Sequence, residues 1–140
     1  MRIKDFLIGT VSAGITLLVL DIFWLGTLGQ PIYEEKIGQF LAEDPDLVGA
    51  VLFYAMYLGV LWFHAIAPAH SLRDAAKRGA GMGFLAYGTW NLTNWAVFKG
   101  WDPSIAPIDW TWGIFLTTTG AAAGYAAVNA FSSVDTSPAG

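Results

Sequence analysis

The chain contains no cysteine. That absence removes disulfide frameworks, thiolate nucleophiles and cysteine-ligated metals together. Histidine occurs only at His64 and His70, too few to build a histidine-rich metal site, so no metal is expected. Charge is scarce as well: 13% of the residues are charged, whereas soluble domains carry about 25%. The net charge of −4 argues against nucleic acid as a partner, because phosphate binding needs clustered Lys and Arg.

What the chain has instead is apolar length. Hydrophobic residues make up 55% of its 140 positions, and the mean hydropathy is +0.50. Four apolar runs stand out, at about 6–28, 47–67, 75–98 and 107–131. Each approaches the roughly 20 residues that cross a bilayer core as a helix. The expected fold is all-α: one polytopic membrane domain over 1–131, with four transmembrane helices in an antiparallel bundle and a disordered tail over 132–140. Arg2 and Lys4 ahead of the first run suggest a signal peptide. The run is too long for one, lacks a small-x-small cleavage site, and contains Asp21 and Trp24.

The connections add detail. In 30–46, Pro31 suits a first helical position, and Tyr33, Ile37, Phe40 and Leu41 share one face. A short interfacial amphipathic helix between helices 1 and 2 is expected, with an ordinary extramembrane loop helix as the other reading. Gly79 and Gly83 form a G-x-x-x-G that permits close helix approach. Gly120 and Gly124 make a second thin face, for packing within the bundle or for a protein partner or second protomer. Trp101, in the turn over 99–103, suits an aromatic belt. Asn91-Leu92-Thr93 fits a glycosylation sequon, but an embedded site is not available for modification. Arg2, Lys4, Arg73, Lys77 and Arg78 fall on one side against Lys36 and Lys99 on the other. That bias places both termini in the cytoplasm.

Polar residues inside the apolar runs locate a candidate site. Tyr87, Asn91 and Asn94 are spaced four and three apart, one face of a helix. Asp21 lies seven residues before Leu28, Tyr54 seven after Leu47, Asn91 seven before Phe98, and Asp109 two after Pro107. At about 1.5 Å per residue, all four sit in the outer half. A carboxylate at mid-membrane costs about 2.5–3.5 kcal/mol on insertion scales, so Asp21 needs a partner or a water-filled cavity. The candidate ligand-binding set is Asp21, Trp24, Tyr54, Tyr57, Tyr87, Asn91, Asn94, Asp109 and Trp112. Two readings stand: the polar groups tie helices together locally, or they line a pocket. Ser12 is deep in the first run without a histidine partner, and no nucleophile–base pair completes itself.

Four blocks in order carry a resemblance. They are Leu20-Asp21 with Trp24-Leu25-Gly26, Phe53-Tyr54 with Tyr57 and Gly59, Tyr87-x-x-Trp90-Asn91-Leu92-Thr93-Asn94, and Asp109-x-x-Trp112-Gly113. Together they resemble the predicted membrane proteins of domain of unknown function 2177, over nearly the whole chain. The family's third block more often reads Tyr-Asp-Leu-Thr-Asn, so Trp90 and Asn91 depart from it. With an amide at 91, two-aspartate proton chemistry does not carry over. The resemblance implies four spanning helices and no assigned activity.

Three functions compete. The first is a pocket for a lipid, isoprenoid, pigment or other small amphiphile, held by an accessory subunit of a larger membrane complex. The second is an enzyme acting on a lipid, with Asp21 as general acid or base. A transporter ranks last, because four short runs show no inverted repeat. The sequence does not identify a cofactor.

Overall fold

The computed structural model describes residues 2–134, with side chains through 131, and every element among them is helical. Helix α1 spans Ile3–Trp24 and passes through a π-helical segment, Leu25–Gly29, into α2, Gln30–Ile37, which ends in a 3₁₀ turn at Gly38–Phe40. Helix α3 is Leu47–Leu61 and runs into a second π segment, Trp62–Ile66; α4 is Leu72–Val97 and α5 Ile105–Val134. Two of these stretches, Ile3–Phe40 and Leu47–Ile66, are long and apolar enough to cross a membrane.

The helix starts are chemically marked. Asp46 caps α3, its Oδ1 accepting from the backbone N–H of Val48 at 2.8 Å and of Gly49 at 3.3 Å. Ser71 caps α4 by accepting from the Asp74 N–H at 3.1 Å, and Asp74 reaches back to the N–H of His70 at 3.1 Å. The pair departs from a capping box in that the acid bonds the residue before the cap rather than the cap's own N–H.

Three expectations about the connections change. The stretch after α1 does not begin a separate helix; 38 residues run helically without a break. Pro31 has no N–H to give, and the wide π turn just before it absorbs that missing bond. Trp101 is buried, 8% exposed, rather than displayed in a belt. It packs on Phe40 and Trp90 at ring distances of 5.4 and 5.0 Å, because the turn at Gly100 (φ +85°) folds it inward. Helix α5 stays regular through Val134, three residues into the expected tail, and 135–140 lie outside the described residues.

Packing follows small residues. A Cβ on Gly79 would sit 2.8 Å from the Thr117 carbonyl oxygen, and one on Gly83 2.6 Å from that of Gly113. The backbones of α4 and α5 therefore touch, and contacts pair 79 with 121 and 83 with 113–117, in opposite order along the two helices. Gly120 receives Leu17, and a Cβ on Gly124 would lie 2.8 Å from the Gly9 carbonyl oxygen on α1. That second thin face packs within the chain, against α1 and the π segment that follows α3. Large apolar side chains point outward instead: Leu7, Val11, Ile15, Val51, Leu52, Leu85 and Phe115 are all exposed. The exposed apolar surface far exceeds a scattering of single residues.

Helix α3 leans on α1, with Leu58 against Gly14. It meets α4 mainly through the π segment at its end and parts from it toward its start. Above that gap lies α2, held at its end by Lys36, whose Nζ is 2.6 Å from Ser104 Oγ and 3.7 Å from Asp102 Oδ2. Gln39 donates to the Gly100 carbonyl at 2.9 Å.

Gly83→Val is expected to lower stability by about 1–3 kcal/mol through overpacking. Gly81→Ala, whose added Cβ meets nothing within 4 Å, is expected to be neutral or to add up to about 1 kcal/mol. Thermal unfolding in detergent, followed by tryptophan fluorescence, compares the two.

Candidate functional site

Two carboxylates organise the polar interior, and each is served by donors from other helices. Asp21 on α1 is half-buried. Its Oδ2 accepts from the Tyr54 hydroxyl of α3 at 2.9 Å, and its Oδ1 from the Trp112 indole N–H of α5 at 3.2 Å. Asp109 on α5 is 6% exposed. Its Oδ1 accepts from the Tyr33 hydroxyl of α2 at 2.6 Å, and its Oδ2 from the Asn91 amide of α4 at 2.6 Å. The two groups communicate through stacked indoles. Trp24 and Trp112 lie 4.6 Å apart at an interplanar angle of 10°, and the Trp24 N–H donates to the Tyr33 oxygen at 3.3 Å.

Donor directions follow from the partners. Asn91 Nδ2 also donates to the Tyr87 carbonyl at 2.9 Å. A carbonyl only accepts, so the amide cannot be turned over. Asn91 Oδ1 is left buried without a hydrogen-bond partner among the described residues. The Tyr33 oxygen accepts from the Trp24 indole, which only donates, so its own hydrogen is free to go to the Asp109 carboxylate. Thr117 gives its hydroxyl hydrogen to the Gly113 carbonyl at 2.7 Å, which makes the Tyr57 hydroxyl, 2.7 Å away, the donor to Thr117. The Tyr87 ring lies flat over Gly113, where any β-carbon would collide with it.

Beside Asp109 is a cavity of about 410 Å³ in the gap between α3 and α4. Its walls are Phe53 and Tyr57 from α3, Ala86, Tyr87 and Trp90 from α4, and Tyr33 and Ile37 from α2, with Leu41 beyond; Asp109 is its one charged lining group. The nine candidate residues therefore separate. Tyr57, Tyr87 and Asp109 line the cavity. Asn91 and Trp24 hold the lining residues Asp109 and Tyr33 in place. Asp21, Tyr54 and Trp112 form a neighbouring tie between α1, α3 and α5 and do not line it. Asn94 is half-buried, and no side-chain hydrogen bond joins it to the others among the described residues.

The cavity walls Ile37, Leu41, Phe53, Ala86 and Trp90 and two members of the hydrogen-bonded network were not among those candidates. Tyr33 belongs to a stretch whose apolar face predicts contact with lipid, and only its hydroxyl hinted at an inward role. Thr117 sits in a Thr-Thr-Thr run that reads as ordinary helix back-bonding. Among the described residues no group of three His, Cys, Asp or Glu is placed to hold a metal ion.

A helical chain with large apolar side chains outside and small and polar ones inside defines a membrane protein. More particularly, the chain belongs to the family of predicted membrane proteins DUF2177, whose model matches residues 6–126 and so includes all four motif blocks. No curated protein and no solved structure matches it.

Asp21→Asn is expected to change stability by less than about 1 kcal/mol, since its amide oxygen accepts from Trp112 while its N–H₂ donates to the Tyr54 oxygen. Asp21→Leu leaves two half-buried donors unserved and is expected to cost about 1 kcal/mol for each, the low end for an unsatisfied group. Tyr33→Phe is expected to loosen α2, seen as faster proteolysis within 41–46 while the rest of the chain stays protected.

Proposed function

We propose that all four long helices cross the bilayer as an antiparallel bundle, with both termini cytoplasmic, and that the cavity beside Asp109 binds a lipid or other small amphiphile. Four crossings are supported by the uncharged stretches. Gly79–Val97 in α4 holds 19 residues without a charge, about 28 Å at 1.5 Å each. Helix α5 carries Asp109 alone among charged residues. Opposed contact order between α4 and α5 supports the antiparallel arrangement. Helix α2, lying past the roughly 30 Å core that α1 already fills, then rests at the outer interface, where it roofs the cavity.

The observation that carries the binding reading is the cavity itself. It is walled by apolar and aromatic side chains, holds one buried carboxylate, and lies in the gap between α3 and α4, where the lining rings of Phe53 and Trp90 are exposed. Pockets with apolar walls and few, placed polar groups are the usual form of small-molecule sites. Lining rings exposed on helices that face the bilayer suit a molecule that arrives from it. Asp21, on which an enzymatic reading depends, does not line the cavity, which favours binding over acid–base chemistry at that residue.

Organic extraction of the purified protein followed by mass spectrometry is expected to yield one amphiphile enriched over bulk membrane lipid. Ala86→Phe, which fills the cavity from its α4 wall, is expected to abolish that enrichment while the protein elutes and unfolds as the wild type does. Equal enrichment in both proteins would sink the proposal. A reporter fused after Gly140 is expected to read as cytoplasmic, and one inserted within 41–46 as extracytoplasmic.

A further inference from the structure

We infer that the molecule bound in this cavity carries an ammonium head group, paired by Asp109 and covered by the aromatic rings around it. The inference rests on the amphiphile reading above and names its chemistry.

The argument starts from a missing charge. Asp109 is 6% exposed, and its oxygens are met by two neutral donors, the Tyr33 hydroxyl and the Asn91 amide. Among the described residues the ion pairs at this end of the chain lie elsewhere: the nearby cation Lys36 is engaged with Asp102 and Ser104. A carboxylate removed from water is costly unless a cation pairs with it. Its two oxygens offer about four lone-pair positions, of which these donors use two. When ionised, the cavity-facing acid therefore retains both an unmet charge and free acceptor capacity. A hydroxyl or ester head would use the second and leave the first.

The walls point the same way. Tyr33, Phe53, Tyr57, Tyr87 and Trp90 bring five aromatic rings to one small cavity. Electron-rich ring faces attract cations, and most strongly when water is excluded, as in sites for quaternary ammonium groups. Saturated side chains would have served a hydrocarbon tail equally well. The volume of about 410 Å³ falls near the lower end of the roughly 300–1,000 Å³ found for small-molecule sites, which suits a head group with one chain. The other embedded carboxylate, Asp21, has no such cavity beside it, so the inference concerns Asp109 alone.

The test uses the full chain in an uncharged maltoside detergent. Dodecyltrimethylammonium and the chain-matched, uncharged dodecylglycerol are titrated by calorimetry and by quenching of tryptophan fluorescence. The ammonium compound is expected to bind at least tenfold more tightly, Asp109→Asn to erase that preference, and Trp90→Leu to weaken ammonium binding several-fold without changing dodecylglycerol binding. Should Asp109→Asn fail to fold, Trp90→Leu still decides the matter. Equal binding of the two compounds, unaffected by either substitution, would overturn the ammonium head while leaving an amphiphile site in place. Binding of neither, with no enriched amphiphile on extraction, would overturn both. Repeating the ammonium titration in nanodiscs distinguishes the source: competition in phosphatidylethanolamine but not phosphatidylglycerol discs assigns the bilayer's own amine lipid. Undiminished binding in both assigns a free alkylammonium.

Discussion

The desolvated carboxylate of Asp109 constrains more of this structure than any other group. Inside a membrane domain it cannot rely on water, so the chain has to bring donors to it. It draws one from α2 and one from α4, and in doing so it sets where three helices meet. Tyr33 reaches it only because α1 continues through a π turn into α2 rather than stopping. Asn91 reaches it only because α4 and α5 lie backbone to backbone. The stacked pair Trp24–Trp112 then links this centre to the second carboxylate, Asp21, so that neither acid is free to shift alone.

That backbone contact depends on what is absent between the helices. Gly79 and Gly83 remove the side chains that would hold α4 from α5, and Gly120 and Gly124 do the same between α5 and α1. In lipid, apolar side chains gain little from facing each other rather than acyl chains, so association rests on close van der Waals contact and on polar ties. The chain places its small residues inside and its leucines, valines and phenylalanines largely outside. Helix α3 is the exception. Without a comparable small-residue face toward α4, it stays attached to α1 and to its own π segment, and the space left over is the cavity. The pocket is thus a consequence of which helix pairs can close and which cannot.

Much of this was legible in the chain alone. Apolar run lengths marked the helices, G-x-x-x-G marked a face of α4 fit for close helix approach, and the shared depth of Asp21, Tyr54, Asn91 and Asp109 marked a polar layer, because rise per residue and helical periodicity are local properties. Other features were not legible. Asn94 shares a helical face with Asn91 yet stands apart from the network, Asp21 does not line the cavity, Trp101 turns inward, and Tyr33 supplies a donor from a stretch that reads as a surface helix. Periodicity tells which residues share a face of their own helix. It does not tell how that helix is rotated against its neighbours or where a π turn redirects the chain. Those choices are made by contacts between residues far apart in sequence, such as Tyr33 with Asp109, Asp21 with Trp112, and Gly83 with Gly113, and only the tertiary structure decided them.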